Sequence, residues 1–280
     1  MEIGVWTGLY NDMDIEATVR HLAEIGWFHI EFDVVHVVEA TKREWREKLK
    51  SLRELCQSLG MKAWQMHFDA EHIENAHRWM EYCQILEVPY LVFHTIGPRV
   101  NRSLKEIKKT IELNVETFKE IVKFAEDLGV KVALENAGSL RQVSDLKEII
   151  NGAGSPFIGI CLDTSHANMD GLDLEETIYE CGRLLWATHI SDNDGTGDQH
   201  RIPYNASYWG KPINWIKVAR ALRKINYQNL FMMEILGEGI QMVPKGGGKE
   251  WGPGNFAPSY VRDQKLAYAK NILKWLFDQQ

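Results

Sequence analysis

The sequence predicts an α/β fold, a closed (β/α)8 barrel making one domain over residues 1–280. Three observations predict it. Short apolar runs of strand type alternate with amphipathic helical stretches, and the alternation repeats eight times without a strong linker. The runs are apolar on both faces, as in a parallel sheet covered by helices. Runs three to eight also end at an imidazole or a carboxylate, and the carboxyl ends of barrel strands are where such enzymes build their sites.

Each element has its own signal. Residues 3–7 read as the first strand. Ile15, Val19, Leu22 and Ile25 lie at helical spacing, so a helix covers 14–25 and stops at Gly26. Strand two is 28–32, followed by a charged amphipathic helix over 43–59 that stops at Gly60. Strand three, 62–68, ends at His67, and a helix covers 71–86. Strand four, 90–95, ends at His94. A long helix over 103–128 starts on a Ser103 cap and stops at Gly129. Strand five is 130–135, with a short helix over 143–150 behind a Ser144 cap. The stretch from Phe157 to His166 begins as strand six and ends abruptly in Asp163-Thr164-Ser165-His166. A helix over 174–184, strand seven over 185–190, a helix over 213–225, strand eight over 230–235 and a last helix over 262–277 complete the chain. No Gly-x-Gly-x-x-Gly fingerprint follows the first strand, which disfavours an open doubly wound sheet.

Composition narrows the function. A chain of 280 residues is long enough for one such barrel, and 45% hydrophobic residues supply a large core. The net charge of -7 argues against a nucleic-acid binder, which needs clustered Lys and Arg. Four cysteines without a Cys-x-x-Cys pair read as reduced thiols, so a cytoplasmic location is expected. No signal peptide and no run long enough to cross a membrane is visible.

Strands three to eight finish at His67, His94, Glu135, Asp163, His189 and Glu234. In a closed parallel barrel all six surround one opening. Taken singly, His67 and His94 read as structural histidines, and either glutamate alone could pair with an arginine. Jointly, Glu135, Asp163, His189 and Glu234 would repel one another unless a cation sat among them. Three oxygens and one nitrogen suit manganese, magnesium, cobalt or zinc. Trp6, Trp64, Trp209 and Trp251 fall at strand ends or in long loops, where they could line a sugar pocket or simply pack. Residues 191–212 and 236–260 are long connections at the carboxyl ends of strands, and could form a lid.

These residues carry a resemblance. Val132-Ala133-Leu134-Glu135-Asn136, Gly159-Ile160-Cys161-Leu162-Asp163-Thr164-Ser165-His166, His189-Ile190-Ser191-Asp192-Asn193-Asp194-Gly195 and Phe231-Met232-Met233-Glu234 resemble, in order and spacing, the xylose-isomerase-like TIM barrels, in their sugar-phosphate isomerase and epimerase branch. The resemblance implies one divalent metal on Glu135, Asp163, His189 and Glu234, and no organic cofactor. In ketose 3-epimerases of this group the two glutamates are acid and base. Carried over, Glu135 and Glu234 remove and return a proton next to a carbonyl, through an enediolate. His166 and Arg201 would hold substrate oxygens, and His67, His94, Trp6 and Trp64 would line the pocket. The partner is a small sugar-like molecule; a homo-oligomer is compatible with the sequence. Aldose-ketose isomerisation and dehydration of a keto-polyol begin with the same proton abstraction. A barrel that binds sugars without turning them over is disfavoured by the presence of both glutamates.

A rival resemblance leads elsewhere. Endonuclease IV-type enzymes of the same superfamily use three zinc ions on abasic DNA. Their pattern is matched by His67, His94 and Glu135 for one ion, the four residues above for a second, and His166 with Asp198 and His200 for a third. Charge weighs against it, because residues 8–14 carry two acids and no base, and residues 33–39 carry no Lys or Arg. The aromatic insertion at 204–209 departs from the compact turn usual in the sugar branch.

Overall fold

The structure is a computed structural model and describes residues 2–68, 70–97, 103–206, 210–236, 242–245, 248–251 and 257–278. Eight parallel strands form its centre: β1 Ile3–Trp6, β2 His29–Phe32, β3 Lys62–His67, β4 Tyr90–Thr95, β5 Lys131–Gly138, β6 Ile158–Asp163, β7 Leu185–His189 and β8 Phe231–Met233. Their order is β7-β6-β5-β4-β3-β2-β1-β8. A parallel bridge between Ile190 and Met233 joins the two ends. Ile190 N donates to the Met232 carbonyl at 2.7 Å, and Glu234 N to the Ile190 carbonyl at 3.2 Å. The sheet is therefore a closed (β/α)8 barrel, with no unpaired edge to cover. Among the described residues no helix is long and apolar enough to cross a membrane. All four cysteines are free and buried.

Of the two helix caps expected, one is present. Ser103 accepts a hydrogen bond from Glu106 N at the start of Leu104–Leu128, and Gly129 stops that helix in the left-handed region. Ser144 is not a cap. Val143–Ala153 starts at the expected residue but behind Gln142, which makes no capping hydrogen bond, and runs three residues further than expected. Two short helices were not expected. Val34–Ala40 is capped by Asp33, and Thr164–Met169 by Asp163. The stretch expected as one helix from 71 opens as a 3-10 turn, Ala70–Asn75, before Ala76–Leu86. The last helix, Ser259–Asp278, begins three residues early. Part of the eighth long connection is a hairpin, Met242–Lys245 with Gly248–Trp251.

Arg262 fastens that last helix to the loop after β1. Its side chain is almost wholly buried. It holds both Asp12 carboxylate oxygens, at 2.5 and 2.7 Å, donates to the Leu9 carbonyl at 2.9 Å, and lies over the Tyr10 ring. Burial pushes the Asp12 carboxyl up, but the hydrogen bonds and charge of Arg262 outweigh it and hold the group below its usual range. A depressed carboxylate contributes stability above its unfolded pKa and loses it as pH falls through the folded value. Arg262→Met should cost about 1–2 kcal/mol, chiefly because it strands the buried Leu9 carbonyl, while the part-exposed Asp12 carboxylate can rehydrate. Urea unfolding at neutral pH checks this, and the deficit should shrink in acid.

Candidate functional site

The barrel interior positions the site through the strand period of two. Val92, Ala133, Cys161 and Ala187 form a fully buried cluster inside the barrel. Two residues further along the same strands, on the same face, stand His94, Glu135, Asp163 and His189. Small side chains thus floor a cavity whose walls are ligating groups. Register completes the ring, with Asp163 opposite His189 and Glu135 opposite Cys161.

Ligand atoms of Glu135, Asp163, His189 and Glu234 all lie within 4.8 Å of one another, and all four residues are buried. His189 Nδ1 is 3.3 Å from Glu135 Oε2 and 3.3 Å from Glu234 Oε2. Asp163 is held by its neighbours. Asn136 exchanges two hydrogen bonds with the Asp163 backbone, at 2.6 and 3.0 Å, and Asp163 Oδ1 accepts from His166 N at 2.7 Å. Asp163 Oδ2 is left over. It is one of three buried atoms of this quartet with no hydrogen-bond partner, the others being Glu135 Oε2 and His189 Nδ1. Buried polar atoms are nearly always satisfied, so three orphans converging on one point fit a cation.

Further clusters adjoin the quartet, one of them Glu31, His67 and His189. His67 Nε2 lies 2.9 Å from His94 Nε2, which is 3.3 Å from Glu135 Oε2. Ligand atoms of His67, His94 and Glu135 also lie within 4.8 Å of one another. On the other side Asp198 bridges two imidazoles, 3.1 Å from His166 Nε2 and 3.1 Å from His200 Nε2. The His200 backbone sits at φ 45°, uncommon for a residue other than glycine, and its Nδ1 is 2.9 Å from the Glu234 carbonyl oxygen.

The electrostatics express an excess of carboxylates. Burial alone would lower the imidazoles. For His166 the charge of Asp163 and hydrogen bonds to Asp198 and Glu135 outweigh burial and push it well up. His200 is likewise pushed up to about 10 by Glu234 and Asp198. His94 is the exception, lowered by burial despite Glu135. The two glutamates diverge. Burial raises Glu234 to about 7 against the pull of His189 and His200. For Glu135 the imidazoles of His189 and His94 overcome burial and hold it far below the ordinary range. Paired carboxyls driven apart in this way are the usual arrangement of an acid and a base.

Not every expected pocket residue reaches this centre. Trp6 ends β1 at the level of Glu31, with its indole N–H buried. Trp64 does not line the mouth. Its Nε1 donates to His29 Nδ1 at 3.0 Å, and His29 pairs with Glu2, at the amino-terminal end of the barrel. The Arg201 guanidinium donates to the Asn205 carbonyl at 3.2 Å, and is not brought to the carboxylates. Trp209 and the side chain of Trp251 lie outside the described residues. Residues 191–206 are tied down by an Asp192–Arg201 bridge and by Asn193 Nδ2 donating to the Ser165 carbonyl.

One buried residue of the site was missed. Glu31, in β2, has no solvent exposure and both its oxygens are 3.0 Å from His189 Nε2. A carboxylate inside the otherwise apolar run 28–32 was the available signal.

Residues 19–254 match the family described as xylose isomerase-like TIM barrel. The chain belongs to that family. An inosose isomerase of Bacillus subtilis is 29% identical over 119 residues, 41% of this chain and 42% of its own length. A D-psicose 3-epimerase of Enterocloster bolteae is 28% identical over 126 residues, 43% of this chain and 38% of its own. Matches to the curated relatives thus span about half their length or less. Among solved structures, a D-psicose 3-epimerase crystallised with D-fructose superposes with a TM-score of 0.77 at 18% identity, covering 99% of each chain. The IOLI protein with a bound zinc atom gives 0.74 at 18%, covering 100% of this chain and 99% of its own. At such identities the likeness is one of fold.

Proposed function

We propose that this chain is a divalent-metal-dependent isomerase or epimerase of a sugar, sugar acid or related polyol. The observation that carries it is the quartet Glu135, Asp163, His189 and Glu234, with three buried donor atoms lacking partners. Those residues would hold manganese, cobalt, magnesium or zinc; when bound, such an ion supplies positive charge that acidifies a C–H next to a carbonyl. Support comes from relatives named inosose isomerase and D-psicose 3-epimerase, and from a zinc atom in a protein of the same fold.

The chain's own groups do the proton work. Glu135 and Glu234 each bring a carboxylate oxygen to 3.3 Å from His189 Nδ1. One carboxylate removes the proton and the other returns it from the opposite side. His166, whose ring nitrogens face Glu135 and Asp198, would hold a substrate oxygen once one of these contacts gives way. We place this chemistry in the cytoplasm.

The test is exchange. Ketohexoses and inososes incubated in deuterium oxide with enzyme and manganese should take up deuterium at the carbon beside the carbonyl. Absence of uptake across both classes would count against the proposal.

A second reading has a specific observation behind it. The clusters His67, His94, Glu135 and His166, Asp198, His200 adjoin the quartet, as a trinuclear zinc phosphodiesterase acting on abasic DNA would require. Charge on the mouth loops favours the sugar reading. A duplex bearing one abasic site should remain uncut with excess zinc, as read on a denaturing gel; specific cleavage would reverse the ranking.

A further inference from the structure

We infer that Glu31 is a positioning residue that fixes which nitrogen of His189 faces the metal. This rests on reading Glu135, Asp163, His189 and Glu234 as a metal centre. Both Glu31 oxygens lie 3.0 Å from His189 Nε2. A carboxylate can only accept, so Nε2 carries the proton. With an ion bound, Nδ1 would then be the nitrogen left to ligate, and it is Nδ1 that lies 3.3 Å from both Glu135 Oε2 and Glu234 Oε2 without a hydrogen-bond partner. Among the described residues, Glu31 is the carboxylate that holds Nε2.

Glu31 is itself held. Gln65, its pairing neighbour on β3, donates Nε2 to Glu31 Oε2 at 3.1 Å. His67 Nδ1 lies 3.6 Å from Glu31 Oε1. Glu31, His67 and His189 also bring ligand atoms within 4.8 Å of one another. With its oxygens facing His189 Nε2, Gln65 and His67, Glu31 is assigned to act on the ion of the quartet through His189, and metal affinity separates this from a ligand role. Partners of this kind orient a ligating imidazole and raise its basicity, and their loss typically weakens metal binding about 10–100-fold.

The test is zinc and manganese affinity by competition with a fluorescent chelator, on wild type, Glu31→Gln and His189→Ala. Wild type should bind one ion per chain. Glu31→Gln should keep that stoichiometry with affinity weakened about 10–100-fold. A purely structural role would not move a second readout. In zinc-loaded wild type the His189 Nε2 proton should resonate far downfield by 1H–15N NMR, and Glu31→Gln should shift it upfield. If Glu31→Gln does not fold, Gln65→Met loosens Glu31 and should weaken affinity in the same direction, about threefold or more. Affinity within twofold of wild type in the variant that folds overturns the inference. So does complete loss of binding in Glu31→Gln, which would make Glu31 a ligand. Failure of wild type to bind any ion would instead overturn the metal reading itself.

Discussion

Glu135→Gln and Glu234→Gln should each abolish turnover, with kcat/KM for the best exchanging sugar reduced by about a thousandfold or more. Each carboxylate is asked to do two things. It contributes negative charge to the cation quartet, and it carries a proton on one side of the substrate. An amide of the same shape does neither, and loss of general acid–base catalysis alone costs about 10²–10⁴-fold. The environments of the two groups support distinct roles. Burial raises Glu234 to about 7, whereas His189 and His94 overcome burial at Glu135 and keep it ionised. Turnover is read by product formation, and proton abstraction by deuterium uptake. Full activity in either variant would remove that residue from the mechanism.

Removing metal should have the second largest effect. A strong chelator should eliminate activity, and manganese, cobalt, magnesium or zinc should restore it. It should also destabilise the fold. An ion present at a thousand times its Kd contributes about 4 kcal/mol to the folded state. For a chain of this size that corresponds to a melting temperature lower by roughly 10 °C. The physical reason is local. Glu135, Asp163 and Glu234 share a space 4.8 Å across with His189. An unchanged melting curve and unchanged activity in chelator would refute the metal centre.

What the sequence revealed followed from where each signal was local. Six polar strand ends and a strict alternation were enough for the barrel and for the convergence of His67, His94, Glu135, Asp163, His189 and Glu234 around one opening. Trp64 was misjudged because it lies near the start of β3 and not at its carboxyl end. It lies three residues before His67, about 10 Å down the barrel, and pairs with His29. Glu31 was passed over because attention to the final residues of strands hides an acid one position inside. Its role depends on His189, 158 residues away, and no local pattern reports that. The helix Val34–Ala40 was read as loop because Val-Val-His-Val-Val has poor helix propensity. Tertiary contacts override this: Asp33 caps Val35 N at 2.8 Å, and His36 is wedged between Thr7 and the Met13 carbonyl.

Elemental analysis of protein purified without added metal tests the central claim most directly. The account predicts close to one divalent ion per chain, exchangeable for manganese or cobalt and lost in His189→Ala. Close to three zinc ions would make His67, His94, Asp198 and His200 ligands and favour a phosphodiesterase. No metal, with none taken up on addition, would contradict the account outright.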